Sequence, residues 1–141
     1  GLRFFTVYGP WGRPDMAYFL FTKKIIQGET IEVYNNGKMK RDFTYIDDII
    51  SGIKSAIKLN SKYEIFNLGN NKSERLMDLI SIIENELKMK AIIKYKELQR
   101  GDMINTFSDN THSYEKLGYQ PKICLEEGIP LFIKWYKTIY S

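Results

Sequence analysis

The chain has 141 residues, of which 43% are hydrophobic, 14% aromatic and 27% charged, and its net charge at pH 7 is +4. This composition excludes disordered and fibrous proteins, and the length suits a single domain over residues 1–141. The one cysteine, Cys124, excludes an intramolecular disulfide and fits a reducing compartment. No apolar run reaches the roughly 18 residues of a membrane span and no signal-peptide pattern is present, so we expect a cytoplasmic protein.

The first elements are a strand, a loop and a helix. Residues 1–8 have the composition of a β-strand with no polar segment before it, as expected for a sequence cut from the middle of a longer protein. Residues 9–14 form a loop rich in Gly and Pro. Asp15 is then predicted to cap a helix over residues 16–27, and Gly28 to end it.

The next segment alternates like a strand over residues 31–34. Residues 35–38 (NNGK) predict a hairpin turn, because Asn-Gly tolerates positive φ angles, and residues 40–45 would be the returning strand. Asp47 and Asp48 follow near the start of another helix, where carboxylates suit the positive end of the helix dipole.

Two helices with an apolar face flank a strand in the middle of the chain. The first helix is predicted to bury one side, which carries Ile49, Ile50, Ile53 and Ile57. A strand over residues 63–69 follows, and Ser73 is predicted to cap the second helix. The apolar stripe of the second helix consists of Leu76, Leu79, Ile80, Ile83 and Leu87.

The last third of the chain predicts a short strand over residues 91–95 and a loop at 99–102. Asp109 would cap a helix that ends near Gly118, and a final helix covers residues 125–140. Its apolar residues at helical spacing are Ile129, Phe132, Ile133 and Tyr136. Helices and short strands alternate throughout, so the fold class is α/β, or α+β for this piece in isolation, with a small sheet and flanking helices. The order of the strands does not follow from this pattern.

Charged side chains in predicted loops or at strand ends are the candidates for binding. They are Arg13, Arg41, Arg100 and Asp102. The planar guanidinium of Arg makes two parallel hydrogen bonds to phosphate or carboxylate, and an Asp beside a Gly can accept hydrogen bonds from a vicinal diol such as a ribose. An exposed Arg in a weak salt bridge remains the alternative at each position.

Several classes of site do not fit the residues present. One His and one Cys cannot form a zinc site, and no Cys/His pair shares a motif. Asp47 and Asp48 lack a neighbouring third carboxylate, so we expect no metal site. No Gly-rich phosphate loop follows a strand. Basic residues are scattered rather than arranged in a stripe, so we expect no nucleic-acid partner.

Three segments together resemble one known family. Residues 2–16 (LRFFTVYGPWGRPDM) closely resemble the strand and loop after the catalytic helix in UDP-glucuronate 4-epimerases, members of the extended short-chain dehydrogenase/reductase family. Residues 35–49 (NNGKMKRDFTYIDDI) look like that family's hairpin before its next helix. Residues 99–102 (QRGD) are similar to its late Gln-Pro-Gly-Asp or Arg-Pro-Gly-Asp loop. The resemblance covers essentially the whole chain, in order.

This resemblance implies a two-lobed enzyme of which the chain is the carboxy-terminal, substrate-binding lobe. The amino-terminal Rossmann lobe would bind NAD and supply the catalytic Tyr-x-x-x-Lys pair, so no catalytic residue is expected in this chain. The implied reaction interconverts UDP-glucuronate and UDP-galacturonate through a 4-keto intermediate. The chain alone is expected to be inactive, and the full-length protein is expected to be a homodimer.

Site roles follow from the resemblance position by position. Thr6 and Arg13 would hold the carboxylate at carbon 6 of the sugar, which suits a charged donor for a charged acceptor. Arg41 would contact the diphosphate, and Asp102 would accept hydrogen bonds from the ribose of uridine. Arg13 and Arg41 are therefore expected to converge on one cleft in the folded lobe. Val7 would touch the nicotinamide end of NAD with its backbone.

The remaining implied contacts concern the uracil and a second phosphate contact. Residues 31–34, ending in Tyr34, would lie alongside the uracil. Arg100 stands where the family usually has Pro, and Gln99 stands where galactose epimerases have a phosphate-binding Arg. Arg100 would take over that contact or point to solvent. The alternatives left open are a decarboxylase, a dehydratase or a different epimerase on the same scaffold, and a stand-alone nucleotide-binding module.

Overall fold

The computed structural model describes residues 1–140, which form alternating helices and short strands. The helices are α1 (Ala17–Ile26), α2 (Ile46–Lys58), α3 (Leu76–Leu87), α4 (Thr111–Leu117) and α5 (Leu125–Tyr140). The strands are β1 (Leu2–Phe4), β2 (Thr6–Tyr8), β3 (Thr30–Val33), β4 (Lys40–Arg41), β5 (Phe43–Tyr45), β6 (Phe66–Leu68), β7 (Glu74–Arg75) and β8 (Ile92–Tyr95).

Strand pairing is mostly parallel. β1 pairs with β6, β2 with β5 and β3 with β8, all in parallel, whereas β4 and β7 pair antiparallel. Parallel neighbours need a crossover connection, and each parallel pair here is separated in sequence by at least one helix. The observed order confirms the predicted α/β class.

The main core lies where α1, α3 and α5 pack over the buried faces of β2, β3 and β5. The apolar stripe predicted for α3 is fully confirmed, because each of its residues is buried. The same holds for the predicted face of α5, whose Phe132 makes edge contacts with the ring of Tyr18 from α1. Helical periodicity therefore identified the faces that close this core.

A smaller apolar cluster lies under α2. Ile49 packs there with Leu68 of β6 and with Tyr119, which follows α4. Gly52 allows this approach, since a Cβ at that position would lie 2.8 Å from both Leu68 Cδ atoms and 2.9 Å from Tyr119 Cδ2. The prediction that Ile50 and Ile57 join the buried side of α2 is wrong: both are exposed, Ile57 by 77%.

The predicted hairpin at residues 35–38 is also wrong. β3 pairs with β8 rather than with β4, and the segment between β3 and β4 is a 3-10 turn, Tyr34–Gly37. Asn35, Asn36 and Gly37 do adopt positive φ angles, as residues of this type readily do. They do not bring β4 back beside β3, and β4 pairs with β7 instead.

Helix boundaries agree with the sequence more closely than the caps do. Gly28 and Gly118 follow α1 and α4 with φ angles of 69° and 64°. The cap predicted at Asp109 is displaced by one residue: α4 begins after Asn110 without a side-chain cap, although the Asp109 carboxylate accepts the Thr111 backbone N–H at 2.9 Å. The caps predicted at Asp15 and Ser73 are wrong, because α1 and α3 begin after Met16 and Arg75 without a side-chain cap.

Within residues 1–140, no helix is long and apolar enough to span a membrane.

Candidate functional site

The polar cleft is a hollow of about 310 Å³ between β2, the start of α1, and the segments after β3 and β4. Charged and hydroxyl side chains share its lining with apolar ones. The polar lining residues are Thr6, Asp15, Glu32, Tyr34, Arg41 and Asp102. Four of the predicted substrate-binding residues, Thr6, Tyr34, Arg41 and Asp102, therefore lie in one hollow although they are far apart in sequence.

Arg41 and Asp102 form an ion pair in this cleft. Arg41 Nη2 donates to Asp102 Oδ1 at 2.7 Å, and the two side chains are 20% and 33% exposed. Arg41 Nη1 donates to the carbonyl of Lys40 at 2.9 Å, which fixes the guanidinium close to its own strand. A cation and a carboxylate held side by side can contact two different groups of one ligand, a phosphate and a hydroxyl pair.

The strand that carries Arg41 is fixed by the next residue, Asp42. Its carboxylate is fully buried and accepts hydrogen bonds from Thr44 Oγ1, the Asn70 backbone N–H, and both the backbone N–H and Oγ of Ser108. A buried charge is tolerated when its oxygens are fully hydrogen-bonded. Asp42 thus ties the strand of Arg41 to the loops that carry Asn70 and Ser108.

Tyr34 has its own support at the wall of the polar cleft. Its hydroxyl donates to Glu32 Oε2 at 3.1 Å, and Lys96 Nζ lies 3.3 Å from Glu32 Oε1. The hydrogen bond to the Glu32 carboxylate raises the pKa of Tyr34. The ring is held from its polar end and lines the hollow.

The apolar cleft is a second hollow, of about 580 Å³, on the neighbouring side of β2. It is lined by Phe4, Phe5, Val7, Tyr8, Gly9, Pro10, Trp11, Gly12, Arg13, Met16, Tyr18 and Ile46. Arg13 is its one charged lining residue. Nε of Arg13 donates to Asp15 Oδ1 at 3.1 Å and Nη2 to Asp15 Oδ2 at 2.8 Å. Trp11, which is 80% exposed, stands at the rim.

The two clefts meet at the start of α1. Met16 lines both, and the partner of Arg13, Asp15, lines the polar cleft. The predicted convergence of Arg13 and Arg41 on a single hollow is therefore corrected to two adjoining hollows, joined through Asp15 and Met16. The physical reason is that Arg13 turns back onto Asp15, two residues along the same loop.

Arg100 lies apart from both linings. It is exposed in the turn that ends at Asp102, and neither cleft includes it. Its predicted phosphate contact therefore stays a prediction, and the outward orientation is the one seen here.

Other groups singled out in the sequence have structural roles. The Asp48 carboxylate accepts the backbone N–H groups of Lys122 and Ile123, both at 3.0 Å, at the start of α2. His112 stacks on Phe66 and contacts Glu64 at 2.9 Å. Among residues 1–140, no cluster of three or more His, Cys, Asp or Glu side chains could hold a metal ion.

Sequence reasoning missed three residues that shape the site: Asp15, Glu32 and Asp42. The sequence predicts Asp15 only as a helix cap. Glu32 alternates outward on a predicted strand, which placed it near Tyr34 without identifying the contact. Asp42 carried no signal at all, because an isolated Asp beside an Arg is normally exposed.

Comparisons with known proteins agree with this geometry. The family model described as NAD dependent epimerase/dehydratase family matches residues 1–69. A protein of Methanocaldococcus jannaschii is 54% identical over 136 residues, which are 96% of this chain and 42% of that protein. UDP-glucuronate 4-epimerase 5 of Arabidopsis thaliana is 46% identical over 158 residues, covering all of this chain and 36% of the plant protein.

A solved structure matches equally well. The crystal structure of UDP-glucuronic acid 4-epimerase from Bacillus cereus in complex with UDP-glucuronic acid and NAD superposes with a TM-score of 0.92 at 31% identity. The match covers 99% of this chain and 45% of the bacterial chain. The chain thus spans less than half the length of the relatives it matches.

These matches show that the chain is similar to part of the proteins in the NAD dependent epimerase/dehydratase family, and that its fold is that of a part of an extended short-chain dehydrogenase/reductase enzyme. Among such proteins it is similar to UDP-glucuronate 4-epimerases in particular. The resemblance inferred from residues 2–16, 35–49 and 99–102 is confirmed.

Proposed function

We propose that residues 1–141 are the UDP-sugar-binding lobe of a UDP-glucuronate 4-epimerase. The observation that carries the proposal is the polar cleft, where Thr6, Tyr34, Arg41 and Asp102 share one hollow. The relatives named UDP-glucuronate 4-epimerase support it from outside the chain. The reaction converts UDP-glucuronate to UDP-galacturonate and requires a second, NAD-binding lobe.

The ion pair of Arg41 and Asp102 suits the junction between the diphosphate and the ribose. Arg41 offers a charged donor to a phosphate oxygen, and Asp102 offers its second carboxylate oxygen to the ribose hydroxyls. Both groups keep about a fifth to a third of their side-chain surface open. A ligand can therefore reach them without breaking the pair.

The ends of the ligand would extend in two directions from this junction. The face of Tyr34 and the strand before it would contact the uracil, since an aromatic ring is a stacking surface for a base. The sugar would run toward Thr6, and its carboxylate toward Arg13 at the border of the apolar cleft. Arg13 is the charged residue in the lining of the apolar cleft, and its positive charge suits an anionic group at carbon 6 of the sugar.

The apolar cleft suits the nicotinamide end of NAD. Val7, Phe4 and Phe5 give it a mainly apolar wall, which fits an uncharged planar ring. NAD, held mainly by the other lobe, would supply the oxidation and re-reduction of the sugar at carbon 4. The role of this chain would be to bind the nucleotide, orient the sugar and shield carbon 4 from water. A cytoplasmic homodimer belongs to the same proposal.

The test is UDP binding and turnover by the protein that carries this chain, with an arginine variant at the ion pair. Arg41→Ala removes a charged hydrogen bond worth about 1.5–3 kcal/mol, so UDP affinity by calorimetry should fall roughly 10- to 100-fold. Arg3→Ala is the matched control, because Arg3 is exposed and lines neither cleft. Equal affinities of the two variants for UDP would overturn the proposal.

Product analysis separates the epimerase from the related reactions. With NAD and UDP-glucuronate, chromatography should show UDP-galacturonate with no loss of carbon dioxide and no water eliminated. A UDP-pentose product would identify a decarboxylase, and a dehydrated product a dehydratase. Binding of UDP without any turnover in the complete protein would leave a nucleotide-binding module.

A further inference from the structure

The loop before α1 holds an Arg–Asp pair whose geometry leaves part of the Arg free. Arg13 Nε and Nη2 both donate to the Asp15 carboxylate, at 3.1 Å and 2.8 Å. These two nitrogens form the side-on edge of the guanidinium. Nη2 also lies 3.8 Å from Met16 Sδ, and within residues 1–140 the hydrogen bonds of Arg13 include none from Nη1.

A guanidinium has five N–H donors and can bind a carboxylate through more than one edge. Asp15 occupies the side-on edge only. On the end-on edge, Nη1 makes no hydrogen bond within residues 1–140, and the second hydrogen of Nη2 meets only Met16 Sδ, a weak acceptor that a ligand carboxylate can replace. A substrate can therefore bind Arg13 without displacing Asp15.

The pair lies where the two clefts meet. Arg13 lines the apolar cleft, whereas Asp15 lines the polar cleft beside Thr6. Both side chains are largely exposed, 74% and 66%, and the two residues are separated only by Pro14. Pro14 has a fixed φ angle, which restricts the loop and helps to keep the two side chains facing each other.

An unrestrained, exposed Arg samples many rotamers, and fixing it at the moment of binding reduces affinity. Asp15 fixes Arg13 in advance while leaving the end-on edge open. We infer that Asp15 is a positioning residue for recognition of the sugar carboxylate, acting through Arg13. The inference rests on the proposed function and adds a specificity determinant to it.

The test compares UDP-glucuronate with UDP-glucose, which lacks the carboxylate, in the protein that carries this chain. Asp15→Ala should reduce the preference for UDP-glucuronate over UDP-glucose about fivefold, the upper range for an exposed ion pair. Asp15→Glu keeps a carboxylate and should restore at least half of the preference. In an Arg13→Ala background, Asp15→Ala should have no further effect.

Each contrary result has a distinct meaning. A higher preference in Asp15→Ala would show that Asp15 competes with the ligand, and an equal change for both nucleotide sugars would show a purely structural role. Persistence of the effect without Arg13 would also overturn the inference. Failure of the unmodified protein to bind either UDP-sugar would remove the proposed function and this inference with it, whereas an unaltered preference removes the inference alone.

Discussion

The buried carboxylate of Asp42 supports the most demanding stability prediction. Its Oδ1 accepts from Thr44 Oγ1 at 3.0 Å and from the Asn70 backbone N–H at 2.6 Å. Its Oδ2 accepts from the Ser108 backbone N–H at 3.0 Å and from Ser108 Oγ at 2.7 Å. The side chain is completely buried, so water cannot replace a lost partner.

Asp42→Asn is nearly isosteric but replaces one acceptor oxygen with an NH₂ group. In either orientation of the amide, this NH₂ faces two donors, one of which is a backbone N–H that cannot turn away. A hydrogen bond to a charged group contributes about 1.5–3 kcal/mol, and a buried unsatisfied donor costs about 1–3 kcal/mol. We therefore expect the free energy of unfolding to fall by about 2–4 kcal/mol, a large share of the stability of a small domain.

Urea unfolding at neutral pH, followed by far-ultraviolet circular dichroism, measures this loss. The matched control is Asp47→Asn, because Asp47 is exposed in the first turn of α2 and should change the free energy by less than about 0.5 kcal/mol. A loss for Asp42→Asn below about 1 kcal/mol, or one equal to that of the control, would refute the reasoning.

Two further predictions concern packing and pH. Gly52→Ala places a Cβ 2.8 Å from the Leu68 side chain, so we expect the free energy of unfolding in urea to fall by about 1–3 kcal/mol. The control is Ser51→Ala, on the exposed side of α2, which should lose no stability. Equal losses for the two variants would contradict the packing argument. Burial raises the pKa of Tyr18 from 10.0 to about 12 and also raises the pKa of Tyr119. The unfolded chain then releases these protons first, so stability is complete below pH 10 and falls as the pH rises toward 12. The urea midpoint of unfolding should decrease as the pH rises across that range. A constant midpoint would show that the pKa values of Tyr18 and Tyr119 are not raised by folding.

The helices could be predicted from the sequence because their signals are local. The stripes on α3 and α5 follow a period set by neighbouring residues, and Gly28 and Gly118 mark helix ends through their own backbone freedom. The exposed face of α2 shows where this logic fails. Ile57 has the right spacing, but nothing in the described chain packs over it.

Strand partners could not be predicted, because pairing depends on residues distant in sequence. Residues 35–38 favour a hairpin by composition, yet the core takes β3 to β8 instead, with Ile31 and Val33 completely buried. Local turn preferences contribute little against such burial.

For the candidate site, too, the chemistry of each residue could be predicted from the sequence, but the contacts between residues could not. The side chains of Arg41 and Asp102 suggested their chemistry from sequence, and the resemblance supplied their roles. Neither the sequence nor the resemblance predicted the ion pair between Arg41 and Asp102 or the ion pair between Asp15 and Arg13. Chemical character is a property of each residue, whereas these pairs depend on how loops are packed.

The ion pair of the polar cleft also bears on how the protein folds. Arg41 and Asp102 are 61 positions apart, and Asp42 contacts Ser108 across 66 positions. Closing loops of this length has a large entropic cost, which is recovered only when the surrounding core forms. The polar cleft therefore does not form before the surrounding core. We therefore expect a nascent polypeptide to form the polar cleft only after the segment near Ser108 has been synthesised and has docked.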